Sequence, residues 1–331
     1  MTYKVAVLMG GSSLEREFSL ASGKRVCDAL EALGHEVLPL DTTSDLVTTL
    51  RAEKPDVCYI ALHGKHGEDG TIQSLLEFLQ IPFVGSPATV CRSTWNKSTL
   101  PHVLESYREG EPGDAAWPYG ICIASDAFKD MGAAFALDLF PERIPAGLPF
   151  AVKPASQGSA LGMSKVTVDD RHVLGEAILN ALSFDDEVII EEWVDGVELA
   201  VSVIGEGWDA YALAPVEIVP RHGIYDTEAR LDDMAVDFYA PVRLESLSHD
   251  PAQAQAIRNE IERAALEVHR AYGCRDLSRV DMIWDGAQAK VLEINVSPGM
   301  TELSLLPMAA QASGIELGQL LEELIGRALD R

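Results

Sequence analysis

Over its first ninety residues the chain alternates short apolar runs with longer amphipathic ones, and this alternation narrows the possible folds most. Lys4–Met9 reads as a strand, Gly10-Gly11-Ser12-Ser13 as a turn, and residues 14–33 as a helix stopped at Gly34. Strands over 36–40 and 56–62 follow, then a glycine-rich polar loop and a helix over 72–79. Successive strand–helix–strand units require a parallel sheet, whose ligands bind at the carboxyl ends of the strands. The pattern weakens between 97 and 150, where Arg108–Asp114 is loop-like, and returns with strands over 150–153 and 163–168. A helix over 171–182 and strands over 187–193 and 198–204 come next. A helix over 252–272 and two closing strands, 279–284 and 290–295, end the pattern. The predicted class is α/β, in three modules spanning residues 1–92, 93–194 and 195–331.

Charge restricts the partners. With 26 Lys and Arg against 52 Asp and Glu the formal net charge is −26, which repels phosphate backbones and anionic lipid surfaces. Neither a nucleic acid nor a membrane is expected as a partner. An anionic ligand would need the few cations gathered at its site. No run approaches the ~18 apolar residues of a membrane span, and the first residues lack the basic start and cleavage site of a signal peptide. Five widely spaced cysteines without a C-x-x-C pair read as reduced thiols. The expected location is the cytoplasm.

The chemistry concentrates in four segments. On the closing strands Arg279, Asp281 and Ile283 share one face, and Glu293 and Asn295 another. An odd-length turn over 285–289 would pair Asp281 with Glu293 and Arg279 with Asn295. Two carboxylates so paired destabilise a sheet unless a cation lies between them. Two carboxylates and an amide suit Mg²⁺ shared with nucleotide phosphates; the alternative is a solvated polar face. The second segment, Val152–Met163, places Lys153 at a strand end before a glycine- and serine-rich turn able to wrap an anion. It lacks the P-loop pattern, and a plain hairpin loop is its alternative. The third is the loop His63-Gly64-Lys65-His66-Gly67-Glu68-Asp69-Gly70. Its histidines and acids permit zinc, though a positioning role for His63 fits a glycine-punctuated loop better. In the fourth, Ser12-x-x-Glu15 forms a capping box, which competes with a role for Glu15 in the cleft. The third glycine of a dinucleotide fingerprint is missing.

In order, GGSSLEREFSL, ALHGKHGEDG, VKPASQGSALGMSKV, CRDLSRVDM and EINVSPGMTELSLLPMAA resemble the ATP-grasp superfamily, and within it the D-alanine–D-alanine ligases. The resemblance spans nearly the whole chain; only about 100–147 fails to match. It implies a three-domain ATP-grasp architecture, with an N-terminal parallel-sheet domain and ATP bound between central and C-terminal α+β domains. It implies an ATP-dependent ligase joining two D-alanines through an acyl phosphate, for peptidoglycan, and working as a homodimer. It also implies that Asp281, Glu293 and Asn295 hold two Mg²⁺ ions, for which Mn²⁺ could substitute. Lys97 and Lys153 would meet the phosphates, with Ser156, Gly158 and Ser159 closing over them. Glu191, Glu192, Trp193 and Val194 would bind adenine between Ile283 and Leu292, and Glu198 the ribose. Glu15, steadied by His63 and Ser159, would hold the first ammonium beside Phe18. Arg279 and the Gly299 N–H would form the oxyanion hole, with Ser304 and Leu305 around the second substrate.

The sequence departs from the family at a loop that commonly carries Lys-Tyr and here reads Arg230-Leu231. Arg230 can neutralise an anion, but Leu231 cannot donate a tyrosine's hydrogen bond. Glu192 stands where a lysine is frequent, and Phe18 where a smaller aliphatic residue is common. The departures leave room for another acceptor, D-lactate or D-serine. A nucleotide-binding regulator without catalysis is the reading from a different class.

Overall fold

The computed structural model describes residues 1–131, 149–167, 171–221, 225 and 235–331. The first sheet is parallel, in the order β2-β1-β3-β4, from β1 (Lys4–Met9), β2 (Glu36–Asp41), β3 (Val57–Ile60) and β4 (Phe83–Val84). β1, β3 and β4 are buried on both faces, as parallel strands are, while the edge strand β2 is only partly covered. Ala6, Leu8, Cys58 and Ile60 pack against Leu46, Leu50, Ile72 and Leu76 of helices Leu46–Glu53 and Thr71–Leu79. Val5, Val7, Val57 and Tyr59 face the opposite way, against Val26 and Leu30 of α1 (Arg16–Ala32) and Leu324 and Ile325 of the last helix, Leu317–Leu329. The final helix thus completes the first module.

The largest sheet has the order β13-β12-β10-β14-β15-β5, with β11 (Tyr211–Ala212) paired to β10. Its strands are β5 (Ala115–Ala116), β10 (Val197–Ile204), β12 (Val216–Pro220), β13 (Val236–Tyr239), β14 (Leu277–Trp284) and β15 (Ala289–Asn295). Leu199, Val201, Val280, Met282 and Val291 pack on helix Pro251–Tyr272. That helix has clear sequence punctuation: Asp250 caps the N–H groups of Ala252 and Gln253, Pro251 opens it, and left-handed Gly273 closes it. Ala200, Ile204, Val216 and Leu277 on the other face join the core that contains Val5 and Leu324, so the first and last modules share one apolar interior.

The third sheet is antiparallel, in the order β6-β9-β7-β8: β6 (Gly120–Ala124), β7 (Pro149–Pro154), β8 (Ser164–Thr167) and β9 (Glu187–Glu192). Phe150, Val152, Val188 and Ile190 bury one face under Leu174 and Ile178 of helix Arg171–Leu182. Its opposite face carries Ala151, Lys153 and Glu191 toward a cavity, the one-sided burial open to antiparallel strands.

Against an expected module beginning at 93, this sheet begins only at Gly120. Helices Ala88–Trp95 and Leu100–Arg108, not assigned from the sequence, lie with the large sheet. Cys91, Leu100 and Leu104 enter its core. Arg108 and the Ala115 N–H both donate to Glu267 of the long helix, Arg108 Nε at 2.5 Å and Ala115 at 2.9 Å. Those apolar and charged contacts bind 88–116 to the last module. The chain leaves the third sheet at Glu192 and enters the large one at Val197.

His269 is fully buried on the long helix, its Nδ1 2.7 Å from Ser278 Oγ and its Nε2 3.1 Å from the Gly205 carbonyl. Burial pushes its pKa down to about 4 from 6.5. The unfolded chain therefore binds the extra proton first. Stability from this group is complete above pH 6.5 and lost as pH falls through 4. At pH 4.5 the loss from His269 alone is expected to be on the order of 2 kcal/mol. Urea midpoints at pH 7.5 and 4.5 test this; a smaller drop is expected in His269→Gln than in the unmodified protein.

Candidate active site

Two cavities open between the sheets and meet. The first, about 740 Å³, is lined by Glu15, Phe18, His63, Arg279, Gly299 and Ser304 among others. The second, about 520 Å³, lies over the open face of the antiparallel sheet and is lined by Lys153, Glu191, Trp193, Glu198, Asp281 and Ile283. Lys97 and Glu293 line both, with Lys97 Nζ 3.1 Å from Glu293 Oε2. A group transferred from a ligand in one cavity to a ligand in the other would pass this pair.

The strand pair β14–β15 builds the junction. Arg279 pairs with Asn295, and Asp281 with Glu293. The expected pairing is present, but the route to it differs. Trp284 pairs with Ala289, so the turn has four residues, 285–288, and a regular ladder would set Asp281 opposite Leu292. A bulge after Asp281 inserts one residue and restores the carboxylate pair. It also lets Leu292 and Glu293, neighbours in sequence, both line the second cavity. Strict alternation would have pointed them apart.

The carboxylates are balanced by cations. Arg279 donates to both Asp281 oxygens, at 2.6 and 2.7 Å. Burial opposes the Arg279 charge, but Asp281 and then Glu293 outweigh it and keep the guanidinium charged. Among the described residues no three His, Cys, Asp or Glu side chains are arranged to hold a metal unaided. Asp281, Glu293 and Asn295 form instead an incomplete all-oxygen set at the junction. That set fits Mg²⁺, which commonly takes one or two carboxylates and completes its shell with water and phosphate oxygens.

In the second cavity, Lys153 Nζ is 2.5 Å from Glu191 Oε1. Lys165 lies over the Trp193 ring at 4.2 Å. Glu192 is tied to Lys290 at 2.9 Å and accepts from the Tyr119 N–H at 3.1 Å, while Val194 and Leu292 line the wall. Gly158 and Ser159 line the first cavity only. Ser156, expected beside them, lines neither cavity; its N–H donates to Asp185 at 2.7 Å, just before the start of β9. Arg230 and Leu231 lie outside the described residues.

On the other side, the capping box is not formed. α1 begins at Arg16 without a side-chain cap, and Glu15 instead accepts a short hydrogen bond from Ser159 Oγ. The expected support of Glu15 by His63 is absent too, since the two His63 ring nitrogens lie at Ser22 Oγ (2.9 Å) and the Ser297 carbonyl (3.1 Å). Phe18, Leu305 and Met308 give the cavity an apolar wall. Gly299 is needed for close approach: a Cβ there would lie 2.6 Å from Ser304 Oγ, itself 2.8 Å from Thr301 Oγ1.

Comparison with known proteins decides the family. The family model for the D-ala D-ala ligase C-terminus matches residues 141–326, and that for the N-terminus matches 47–86. A D-alanine–D-alanine ligase of Pelotomaculum thermopropionicum is 36% identical over 333 residues, covering 100% of this chain and 98% of its own length. The chain belongs to the D-alanine–D-alanine ligase family. Among solved structures, the Bacillus anthracis D-alanine–D-alanine ligase complexed with ATP shares 27% identity at a TM-score of 0.77, covering 99% of this chain and 98% of that one. A D-Ala:D-Ser ligase of Enterococcus faecalis has a TM-score of 0.79 at 24% identity, covering 99% of this chain and 100% of that one, and shares the fold.

Two further residues of the cleft, Tyr225 and Glu68, are not among the site residues expected from the sequence. Tyr225 lines both cavities and meets the Phe238 ring edge-on, with centroids 6.2 Å apart. Glu68, buried in the first cavity, accepts from the Gly64 N–H at 3.0 Å. Its place in the His63–Gly70 loop was the available signal, read there as a possible zinc ligand. Burial, and then the Glu15 charge, raise its pKa well above the usual carboxylate range. A raised pKa means its stability is complete below pH 4.5 and is lost as pH rises. Glu68→Gln, which mimics the protonated acid, is expected to lose less stability than the unmodified protein between pH 5 and 8. Equal losses in urea melts would show that Glu68 ionises freely.

Proposed function

We propose that the two joined cavities condense two D-alanines into D-alanyl-D-alanine, with ATP in the second cavity and both amino acids in the first. The chain is an ATP-dependent ligase of the ATP-grasp fold, and its family's product serves peptidoglycan synthesis. The observation that carries the site assignment is the junction, where Lys97, Arg279, Asp281, Glu293 and Asn295 gather between two ligand-sized cavities.

In this reading Glu15, oriented by Ser159, pairs with the ammonium of the first D-alanine beside Phe18 and so aims its carboxylate at the junction. Glu191 to Val194 and Glu198 hold adenine and ribose between Ile283 and Leu292. Lys97 and Lys153 neutralise the phosphates, which is most of what a protein contributes to phosphoryl transfer. The carboxylate oxygen takes the γ-phosphoryl group and ADP leaves. Asp281, Glu293 and Asn295 are the residues to hold two Mg²⁺ ions, which offset phosphate charge when bound; Mn²⁺ has the same oxygen preference. Ser304 then holds the second carboxylate and Leu305 walls its methyl group. The second amine attacks the acyl phosphate, Arg279 and the Gly299 N–H take the charge of the tetrahedral oxyanion, and phosphate departs.

A homodimer in the cytoplasm belongs to the same reading and rests on the family. No helix among the described residues is long and apolar enough to cross a membrane.

Glu293→Gln tests the assignment. It keeps shape while removing one charge from the oxygen set, and D-alanine-dependent phosphate release from Mg·ATP is expected to fall at least a hundredfold with the urea midpoint little changed. Turnover near that of the unmodified protein would refute the metal assignment. Product mass after incubation with D-alanine alone, or with D-lactate or D-serine added, identifies the acceptor.

A further inference from the structure

We infer that Ser22 is a positioning residue for the ligation step, holding the Ser297–Met300 loop through a hydrogen-bond circuit whose proton order is fixed. The inference rests on the oxyanion role proposed for Gly299.

The circuit follows from counting donors and acceptors. Ser22 is fully buried on α1. Its Oγ accepts from the Met300 N–H at 3.1 Å and lies 2.9 Å from His63 Nε2. His63 Nδ1 lies 3.1 Å from the Ser297 carbonyl oxygen, which can only accept. Nδ1 must therefore carry the proton. Burial holds the His63 pKa down at about 4, so the ring is neutral and Nε2 is left as an acceptor. Only the Ser22 O–H can then donate to it. The order runs from the Met300 N–H to the Ser22 oxygen, from the Ser22 hydroxyl to His63 Nε2, and from the His63 Nδ1–H to the Ser297 carbonyl.

This fixes both ends of one short loop. Ser297 and Met300 flank Pro298 and Gly299, and the circuit clamps the carbonyl of the first and the amide of the last. Three residues along α1, on the same face, Arg25 Nη1 donates to the carbonyls of Met300 (2.9 Å) and Thr301 (2.7 Å). Ser297 Oγ donates to the Leu62 carbonyl at 3.0 Å, beside His63. The Gly299 amide thus sits on a loop held by α1 and by the segment after β3, although its own module is the last in the chain. The same count changes the part of His63. With one nitrogen donating and the other accepting inside the protein, it has no free position for a substrate ammonium.

Positioning makes a prediction that packing does not. Ser22→Ala removes the hydroxyl that, among the described residues, alone can donate to His63 Nε2, together with the acceptor for Met300, and Ser22 does not line the second cavity. With Mg·ATP and D-alanine, kcat is expected to fall at least tenfold while KM for ATP stays within twofold. In the unmodified protein, the ¹⁵N shifts of the His63 ring should report the Nδ1–H tautomer at pH 7.5. An Nε2–H tautomer would overturn the circuit, and kcat within twofold in Ser22→Ala would overturn the positioning role. Should the variant not fold, the tautomer of the unmodified protein still decides the circuit. Unmodified protein that forms no dipeptide would refute the ligase reading itself, and with it any role of Ser22 in ligation, but not the hydrogen-bond order.

Discussion

Two carboxylates held opposite each other across β14 and β15 are the constraint around which the cleft is organised. Asp281 and Glu293 would repel on adjoining strands if nothing lay between or beside them. Arg279 and Lys97 balance them here, and each cation comes with a position in the fold. Arg279 shares the strand and face of Asp281. Lys97 comes from the 3-10 turn Lys97–Thr99, whose position depends on packing of the flanking helices in the large sheet's core. Two acids and two cations therefore meet where the two cavities join. In a chain of net charge −26, this clustering of cations is what makes an anionic ligand acceptable.

The modules are unequal partners in that arrangement. The first and last share a continuous apolar interior, and polar ties reinforce it: Arg331 reaches Asp276 at 2.6 Å and the Phe83 carbonyl at 3.0 Å. The buried Ser22–His63–Ser297 circuit lies along the same boundary. The antiparallel sheet has a separate and smaller core and meets the others through the cleft, where Ser159 reaches Glu15 and Lys97 reaches the Gln157 carbonyl. Glu15, Arg279, Gly299 and Ser304, which line the first cavity, thus stand on elements that share one core. The residues lining the second cavity belong partly to the antiparallel sheet, whose core is smaller.

Much of this was legible in the sequence because the signals are local. Strand and helix periods located β1, α1, β10, β14 and the long helix. Helices Ala88–Trp95 and Leu100–Arg108 have only about two turns each, so that even the helical spacing of Leu100, Val103, Leu104 and Tyr107 is a weak signal. For the same reason, their attachment to the last module could not be read. The capping pattern at Ser12-x-x-Glu15 was genuine as a pattern, yet Ser159, far along the chain, captured the glutamate instead.

The sequence by itself determined the residue types, their faces on each strand, and the order of motifs that marks the family, since these depend on neighbours a few positions apart. Tertiary structure decided which of them meet. The bulge at Leu292, which restores the Asp281–Glu293 pair across a four-residue turn, has no sequence signature. The same holds for the raised pKa of Glu68 and for the contacts that join Ser22, His63 and Ser297. Each is set by burial and by partners brought from distant parts of the chain, where desolvation and the count of donors and acceptors, rather than local propensity, fix the outcome.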